Sequence, residues 1–171
     1  SWISTASCIS MVGATPVFCD IDPDTYHLSI ESVRRMYQPE VKAIVYPHLF
    51  GNISDMTEIQ DFCEEKHIKL IEDACQSFGA NRDGQYAGTY GDIATLSFNA
   101  NKPVAGISGG GAVLLDNKTQ ADFIRKLRRH GNNEVLGYNS KMLAINAEFI
   151  NFRMDKMHEW QDMRFRVAKR Y

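Results

Sequence analysis

The sequence predicts an α/β fold whose sheet is largely parallel, and three features of the chain lead to that prediction. Short continuous apolar runs, typical of buried strands, alternate with longer stretches in which apolar residues recur at helical spacing. Clusters of glycine, proline, asparagine and aspartate separate these stretches. The alternation indicates βαβ units, because a parallel strand needs a crossover connection, usually a helix, to return to the sheet.

The first predicted elements lie in the N-terminal third of the chain. Residues 16–22 (PVFCDID) are predicted as a strand, and residues 30–37 as a helix that Ser29 caps. Residues 41–51 (VKAIVYPHLFG) have a continuous apolar core, which predicts a buried strand that runs into a loop. Together these three elements form the first predicted βαβ unit.

The next elements repeat the same order. Residues 54–68 are predicted as a helix that begins at Ser54 or Asp55, and residues 69–74 (KLIEDA) as the following buried strand. Residues 93–98 (IATLSF) are predicted as a further strand.

The remaining elements contain more turn residues. Residues 76–92 are rich in turn formers, and residues 111–117 (GAVLLDN) are predicted as a strand that ends in a turn. Residues 119–131 are predicted as an amphipathic helix closed by Gly131, and apolar residues at helical spacing follow from Asn146 onward. Neither a repeat nor a low-complexity linker appears, so we expect one domain.

Composition excludes several classes of function. The formal net charge of −2 and the pI near 6.2 leave no broad cationic surface for nucleic acid. No apolar run is long enough to span a bilayer, and the chain does not begin like a secretory signal. The cysteines lack CxxC spacing, which favours reduced thiols and a cytoplasmic location. They are Cys8, Cys19, Cys63 and Cys75.

Three polar side chains are predicted at the carboxyl edge of the sheet, where open parallel sheets bind ligands. Asp73 ends one predicted strand, and Ser97 and Lys102 follow the next. Asp73 alone also suits an N-cap or a turn, and Lys102 alone suits a solvated loop. Pro103 keeps Lys102 out of the helical region, and partial desolvation beside glycines would make the lysine a nucleophilic amine.

A series of ordered motifs resembles one family along almost the whole chain. The motifs are WISTASCISMVGATPVFCDIDPDTY, VKAIVYPHLFG, EDACQSFGA, TYGDIATLSFNANKP, GGGAVLLDN, LRRHG and GYNSKMLAINAEF. They resemble the signatures of the DegT/DnrJ/EryC1/StrS family of pyridoxal-phosphate (PLP) dependent sugar aminotransferases. The resemblance implies the large domain of an aspartate-aminotransferase-like fold (PLP fold type I), with helices on both faces of the central sheet. Residues 1–171 would be its central part, without the N-terminal phosphate loop and the C-terminal small domain.

The resemblance also implies roles for individual residues. Lys102 matches the lysine that forms the Schiff base with PLP and then acts as acid and base in the proton shift. Asp73 matches the carboxylate that pairs with the pyridine nitrogen, and Gln76 matches the residue that hydrogen-bonds the ring hydroxyl oxygen. Ser97 matches a donor to the cofactor phosphate, and Trp2 matches an aromatic residue stacked on the pyridine ring. Simple packing is the alternative for Trp2 and Gln76.

Asn139 matches an asparagine that reaches the cofactor phosphate of a neighbouring subunit, so the resemblance implies a homodimer with shared active sites. A turn cap is the alternative for Asn139. This chain departs from the family pattern at Lys141, where an arginine is usual, at Pro103, and in the longer loop between Lys102 and Gly110.

The implied activity is transfer of an amino group, from L-glutamate, to a keto-sugar carried by a nucleoside diphosphate, as in the biosynthesis of amino sugars for lipopolysaccharide, other surface glycans or antibiotics. Three alternatives stay open. A PLP-binding regulatory protein would keep the fold without turnover, and a PLP-dependent dehydratase would replace the lysine, against which Lys102 speaks. A nucleotide-binding module with phosphate on the glycine loop is disfavoured, because the P-loop order of glycine and lysine is reversed here.

Overall fold

The computed structural model describes residues 2–171, which form two compact units, one ending at Leu96 and the other spanning Ser97–Tyr171. The helices and strands of the first unit are α1 (Ile3–Met11), α2 (Ile30–Met36), β1 (Ala43–Pro47), α3 (Thr57–Lys66), β2 (Lys69–Asp73), β3 (Asn81–Arg82), β4 (Gln85–Tyr86) and β5 (Ile93–Ser97), whose last residue begins the second unit. Helices and strands alternate as predicted, so the α/β class is confirmed.

Three parallel strands form the sheet of the first unit, in the order β1, β2, β5. Their register pairs Pro47 with Asp73, and Asp73 with Thr95. The carboxyl ends of the three strands therefore lie at one edge of the sheet, as the sequence predicted. Parallel pairing also explains the continuous apolar runs, since both faces of such a sheet are covered.

The core of the first unit lies where the strands meet α3. Alternate residues of each strand are buried, among them Ile44, Leu70 and Ala94. The α3 residues Ile59 and Phe62 are buried as well, as the apolar stripe of a helix packed on a sheet should be.

The second unit contains β6 (Gly111–Leu114), α4 (Lys118–Leu127), α5 (Ala144–Met154) and α6 (Met157–Ala168). Asn117 caps α4, because its side-chain oxygen accepts a hydrogen bond from the backbone of Gln120 at 3.0 Å. The Arg153 guanidinium lies 4.7 Å from the ring centroid of Trp160 and 5.6 Å from that of Phe149, so it packs between α5 and α6. The helical spacing after Asn146 is thus confirmed as two helices.

One predicted strand is wrong. Residues 16–22 form no strand, and their one β-bridge joins Ile21 to Leu28. A strand needs a neighbouring strand for its backbone groups, and here the Asp20 amide instead donates to the Ser32 hydroxyl at 2.8 Å. The Asp20 carbonyl accepts from the Ser29 amide at 3.1 Å.

Helix ends also differ from the prediction. Helix α4 ends at Leu127, four residues before Gly131, because His130 and Asn132 adopt left-handed backbone conformations, each with φ of 57°. Helix α3 begins at Thr57, since Ser54 hydrogen-bonds the Tyr46 hydroxyl instead of capping the helix. The sequence did not predict helix α1, the short hairpin of β3 and β4, or the 3₁₀ turns at Leu49–Gly51 and His130–Asn133.

Within residues 2–171, none of the helices combines the length and the apolar character needed to cross a membrane.

Candidate functional site

Asp73 lies at the carboxyl end of β2, and two donors fix its half-buried carboxylate. Its Oδ2 accepts a hydrogen bond of 2.6 Å from the Thr5 hydroxyl, and its Oδ1 accepts one of 3.2 Å from the Cys75 amide. The second bond is the turn contact considered for Asp73 in the sequence. The first comes from a residue 68 positions earlier in the chain, so Asp73 both closes a turn and presents a carboxylate with a fixed orientation.

Gln76 follows three residues later and contacts the segment after β1. Its Oε1 accepts a hydrogen bond of 3.2 Å from the backbone amide of Phe50. Phe50 has a left-handed backbone with φ of 60°, in a short 3₁₀ turn over Leu49–Gly51. With Oε1 engaged, the NH₂ group of Gln76 is the part of the amide that can donate to a further group.

Behind Asp73, a buried hydrogen bond joins β2 to the residue that follows β1. Glu72 and His48 are both fully buried, and the His48 Nε2 lies 2.7 Å from the Glu72 Oε2. Three backbone amides also donate to Glu72, from Gly88 at 2.7 Å and from Tyr90 and Gly91 at 2.6 Å. Burial raises the pKa of Glu72, but the bonds from His48 and from the glycine amides outweigh burial and lower its pKa overall.

Trp2 and Thr5 belong to the start of α1. Trp2 is the N-cap residue and its carbonyl accepts from the Thr5 amide at 3.1 Å, while 68% of its surface is exposed. The indole is therefore available to a ligand. The sequence prediction of the site included Trp2 but missed Thr5, whose hydroxyl makes the shorter of the two bonds to Asp73.

Ser97 and Lys102 lie in the second unit, close together in sequence. The Ser97 hydroxyl accepts from the Asn99 amide at 3.3 Å, so its own proton remains for another acceptor. The Lys102 amide donates to the Asn99 carbonyl at 2.9 Å, which forms a tight turn, and the residue is half-buried. Ser97 thus ends β5, and Lys102 lies in the turn that follows it.

The glycine loop after Lys102 is closed by backbone bonds and by Asn146. Phe98 donates to the Gly110 carbonyl at 2.9 Å and accepts from the Gly106 amide at 2.8 Å. Asn146, which is only 2% exposed, donates to the Gly109 carbonyl at 2.6 Å and accepts from the Ser108 amide at 3.3 Å. The sequence prediction of the site missed this role of Asn146.

Asn139 lies elsewhere in the second unit and is exposed. Its backbone forms a β-bridge with Arg129, and the neighbouring Tyr138 carbonyl accepts from the His130 amide at 2.9 Å. The exposed Lys141 follows two residues later. The structure therefore places Asp73 and Gln76 together in the first unit, and Ser97 and Lys102 together in the second.

No group of three or more histidine, cysteine, aspartate or glutamate side chains in residues 2–171 could hold a metal ion.

Known proteins are similar to this chain over its whole length. A transaminase named for dTDP-3-amino-3,4,6-trideoxy-α-D-glucose, from Micromonospora megalomicea subsp. nigra, is 35% identical over 98% of this chain and 46% of its own. A pleiotropic regulatory protein of Geobacillus stearothermophilus is 32% identical over 100% of this chain and 47% of its own. The chain thus spans about half the length of the curated relatives it matches.

Solved structures of related proteins match as well. S. venezuelae DesV, in complex with a ketimine intermediate, is 27% identical with a TM-score of 0.94, over 99% of this chain and 47% of its own. The ntda protein of Bacillus subtilis, with the bound cofactor PMP, is 32% identical with a TM-score of 0.82, over 92% of this chain and 37% of its own. A GDP-4-keto-6-deoxy-D-mannose-3-dehydratase of E. coli with bound hydrated PLP is 25% identical with a TM-score of 0.91, over 99% of this chain and 49% of its own.

The fold agrees with these structures, and residues 1–171 match the family description along their full length. This chain belongs to the DegT/DnrJ/EryC1/StrS aminotransferase family.

Proposed function

We propose that the whole protein is a PLP-dependent aminotransferase that transfers an amino group, from L-glutamate, to a keto-sugar linked to a nucleoside diphosphate. The observation that carries the proposal is the Asp73 carboxylate, held at the carboxyl end of β2 by the Thr5 hydroxyl and the Cys75 amide. Family membership and the relative named for a dTDP-sugar transamination support the same activity.

The residues present fit PLP. Hydrogen bonds to both oxygens of Asp73 fix the orientation of its carboxyl group, and a carboxylate is the acceptor that a protonated pyridine nitrogen requires. Gln76 has its NH₂ group available for the ring oxygen, and Ser97 has its hydroxyl proton available for the phosphate. Trp2 offers an exposed indole for stacking.

When bound, PLP supplies an electron sink for the carbon that carries the transferred nitrogen. The chain supplies the remaining functions. Asp73 would accept a hydrogen bond from the protonated ring nitrogen. Lys102 would anchor the cofactor through its amine and would then act as the base and acid of the proton shift. Pro103 and the bond from the Lys102 amide to Asn99 restrict where that amine can point.

The decisive experiment traps the anchor lysine in the full-length protein. Borohydride reduction after incubation with PLP should fix the cofactor on the peptide that contains Lys102, and Lys102→Ala should abolish both the label and the visible absorbance. Lys118→Ala is the matched control, because Lys118 is an exposed lysine of the same unit, paired with Asp122 at 3.3 Å. A wild-type protein that stays colourless with excess PLP would contradict the proposal.

A PLP-binding regulatory protein without turnover is the second candidate, favoured by the similarity to the pleiotropic regulatory protein of Geobacillus stearothermophilus. Addition of L-glutamate to the purified full-length protein decides between the two. An aminotransferase converts its bound cofactor to the amine form in a single turnover, whereas a regulatory protein keeps its original absorbance.

Shared active sites in a homodimer form a separate part of the proposal. The exposed Asn139 is available to a neighbouring subunit. Lys102→Ala and Asn139→Ala proteins, each impaired alone, should regain activity on subunit exchange, because one of the two sites in the mixed dimer would carry both native residues. Unchanged activity after verified exchange would exclude shared sites.

A further inference from the structure

We propose that Glu72 and His48 are positioning residues that together hold Asp73 and Gln76 in their cofactor-binding orientations. The inference rests on the proposed function, because it assigns a role relative to PLP. Neither residue touches the predicted ligand-binding side chains through its own side chain. The connection runs through the backbone of the segment that follows β1.

Four hydrogen bonds hold the Glu72 carboxylate in one orientation. Its Oε1 accepts from the amides of Tyr90 and Gly91, and its Oε2 accepts from the amide of Gly88 and from His48. A carboxylate can accept four hydrogen bonds, and glutamine cannot, since one of its terminal atoms is a donor. Four donors around one fully buried carboxylate therefore specify glutamate at this position and keep it ionised.

His48 connects the Glu72 carboxylate to the backbone of Asp73. Its Nε2 must donate, because ionised Glu72 only accepts, and its backbone amide donates to the Asp73 carbonyl at 3.1 Å. The other ring nitrogen, Nδ1, is buried and has no hydrogen-bond partner among residues 2–171. One residue thus ties the side chain of Glu72 to the main chain of the neighbouring residue on β2.

The turn after His48 connects His48 to Gln76. Phe50 holds a left-handed backbone, which is strained for a residue that has a Cβ atom. Its ring meets the Tyr26 ring edge to face at 6.4 Å between centroids, and its amide points at the Gln76 Oε1. A strained conformation persists only where its surroundings hold it, and the anchored His48 is one end of that support.

The functional consequence concerns the direction of the Gln76 amide. With the Phe50 amide in place, Gln76 must present NH₂ to the ligand, which suits an anionic or neutral acceptor oxygen. If the turn relaxes, the amide can rotate and present its oxygen instead, and that oxygen repels the same acceptor. Glu72 and His48 therefore select the donor orientation without touching the ligand.

The test measures PLP binding and the absorbance maximum of bound PLP in full-length variants. Glu72→Gln leaves the Gly88 amide facing an NH₂ group, and we expect PLP affinity to fall about tenfold or more, the loss typical of one hydrogen bond to a charged group. The absorbance maximum should shift, because the donor to the ring oxygen changes. Amide exchange at Phe50 in the PLP-free protein should accelerate.

His48 variants separate positioning from general stability. His48→Gln places an N–H donor the same number of bonds from the backbone as Nε2. This variant should therefore keep the PLP affinity and the absorbance maximum of the wild type, whereas His48→Leu should lose both. Phe62→Leu is the control, since this buried α3 residue should lower stability without a link to Asp73. If Glu72→Gln does not fold, the His48 pair decides.

The outcomes separate the two proposals. A coloured wild type whose Glu72→Gln and His48→Leu variants keep native affinity and absorbance would overturn this inference alone. Equal spectral shifts in Phe62→Leu would also overturn it, because stability would then explain the effect. A colourless wild type would overturn the proposed function, and this inference with it.

Discussion

The substitution Asn146→Asp gives the sharpest test of the glycine loop. The change keeps the size of the side chain and replaces one NH₂ group by an oxygen. Asn146 Oδ1 accepts from the Ser108 amide at 3.3 Å, and that bond survives in the variant. The new oxygen would face the Gly109 carbonyl across the 2.6 Å now spanned by a hydrogen bond.

The size of the effect follows from these contacts. At neutral pH the variant loses one hydrogen bond and places a charge against a carbonyl oxygen in a site that is 2% exposed. Loss of a buried partner costs about 1–3 kcal/mol, and we expect a loss of about 2–3 kcal/mol in the free energy of unfolding at pH 7. The protonated acid can donate to Gly109, so the fold raises the pKa of the introduced carboxyl.

The sign of the pH dependence follows from that raised pKa. The protonated form fits the site, so stability close to that of wild type is present below the unfolded-state pKa of about 4. The loss then grows as pH rises through the raised pKa of the folded state. Denaturant unfolding of the full-length protein between about pH 4 and 7 measures this trend.

Asn146→Ala serves as the comparison, because it loses the same donor without adding a titratable group. Its stability relative to wild type should not depend on pH over this range. An Asp variant as stable as wild type at pH 7, or one whose deficit stays constant with pH, would refute the assigned bond to Gly109.

Three further predictions concern the first unit. Gly91→Ala should lower the free energy of unfolding by about 1–3 kcal/mol, because its Cβ would lie 2.6 Å from the Leu70 carbonyl oxygen; unchanged urea denaturation would contradict this. Burial raises the pKa of Cys63 to about 11, so iodoacetamide labelling detected by mass spectrometry should require denaturant; rapid labelling of the native protein would show that the thiol is accessible. The lowered pKa of Glu72 contributes stability above its unfolded-state pKa of about 4.3 that is lost as pH falls through the folded-state value, so Glu72→Gln should flatten the acid-side fall in Tm; an equally steep fall in the variant would argue against a paired carboxylate.

The parallel strands could be predicted from sequence because burial on both faces produces continuous apolar runs. The predicted strand at residues 16–22 has a similar apolar run but no ladder, since pairing depends on a second segment that local composition does not specify. The end of α4 was placed too late for a related reason. Gly131 is a usual stop signal, yet the turn bonds of His130 and the residues after it end the helix earlier.

The candidate site also contains features that could be predicted from the sequence and features that could not. The positions of Asp73 and Lys102 could be predicted, because Asp73 ends one recognisable strand and Lys102 follows another. Thr5 could not, because its bond to Asp73 joins residues 68 positions apart. Glu72 gave a weak signal, an acid inside a buried strand, but most of its partners are backbone amides, which exist at nearly every position and leave no mark on the sequence.

The amides bound by Glu72 also limit how residues 88–91 can vary in evolution. Because Glu72 binds main-chain N–H groups, the residues that supply them can carry almost any side chain. Proline is excluded, because it has no N–H. Gly88, with φ of 95°, and Gly91, pressed against Leu70, are restricted further. The exposed Thr89, whose amide donates to the Tyr86 carbonyl and not to Glu72, is the position where this loop can diversify among relatives while the buried carboxylate stays satisfied.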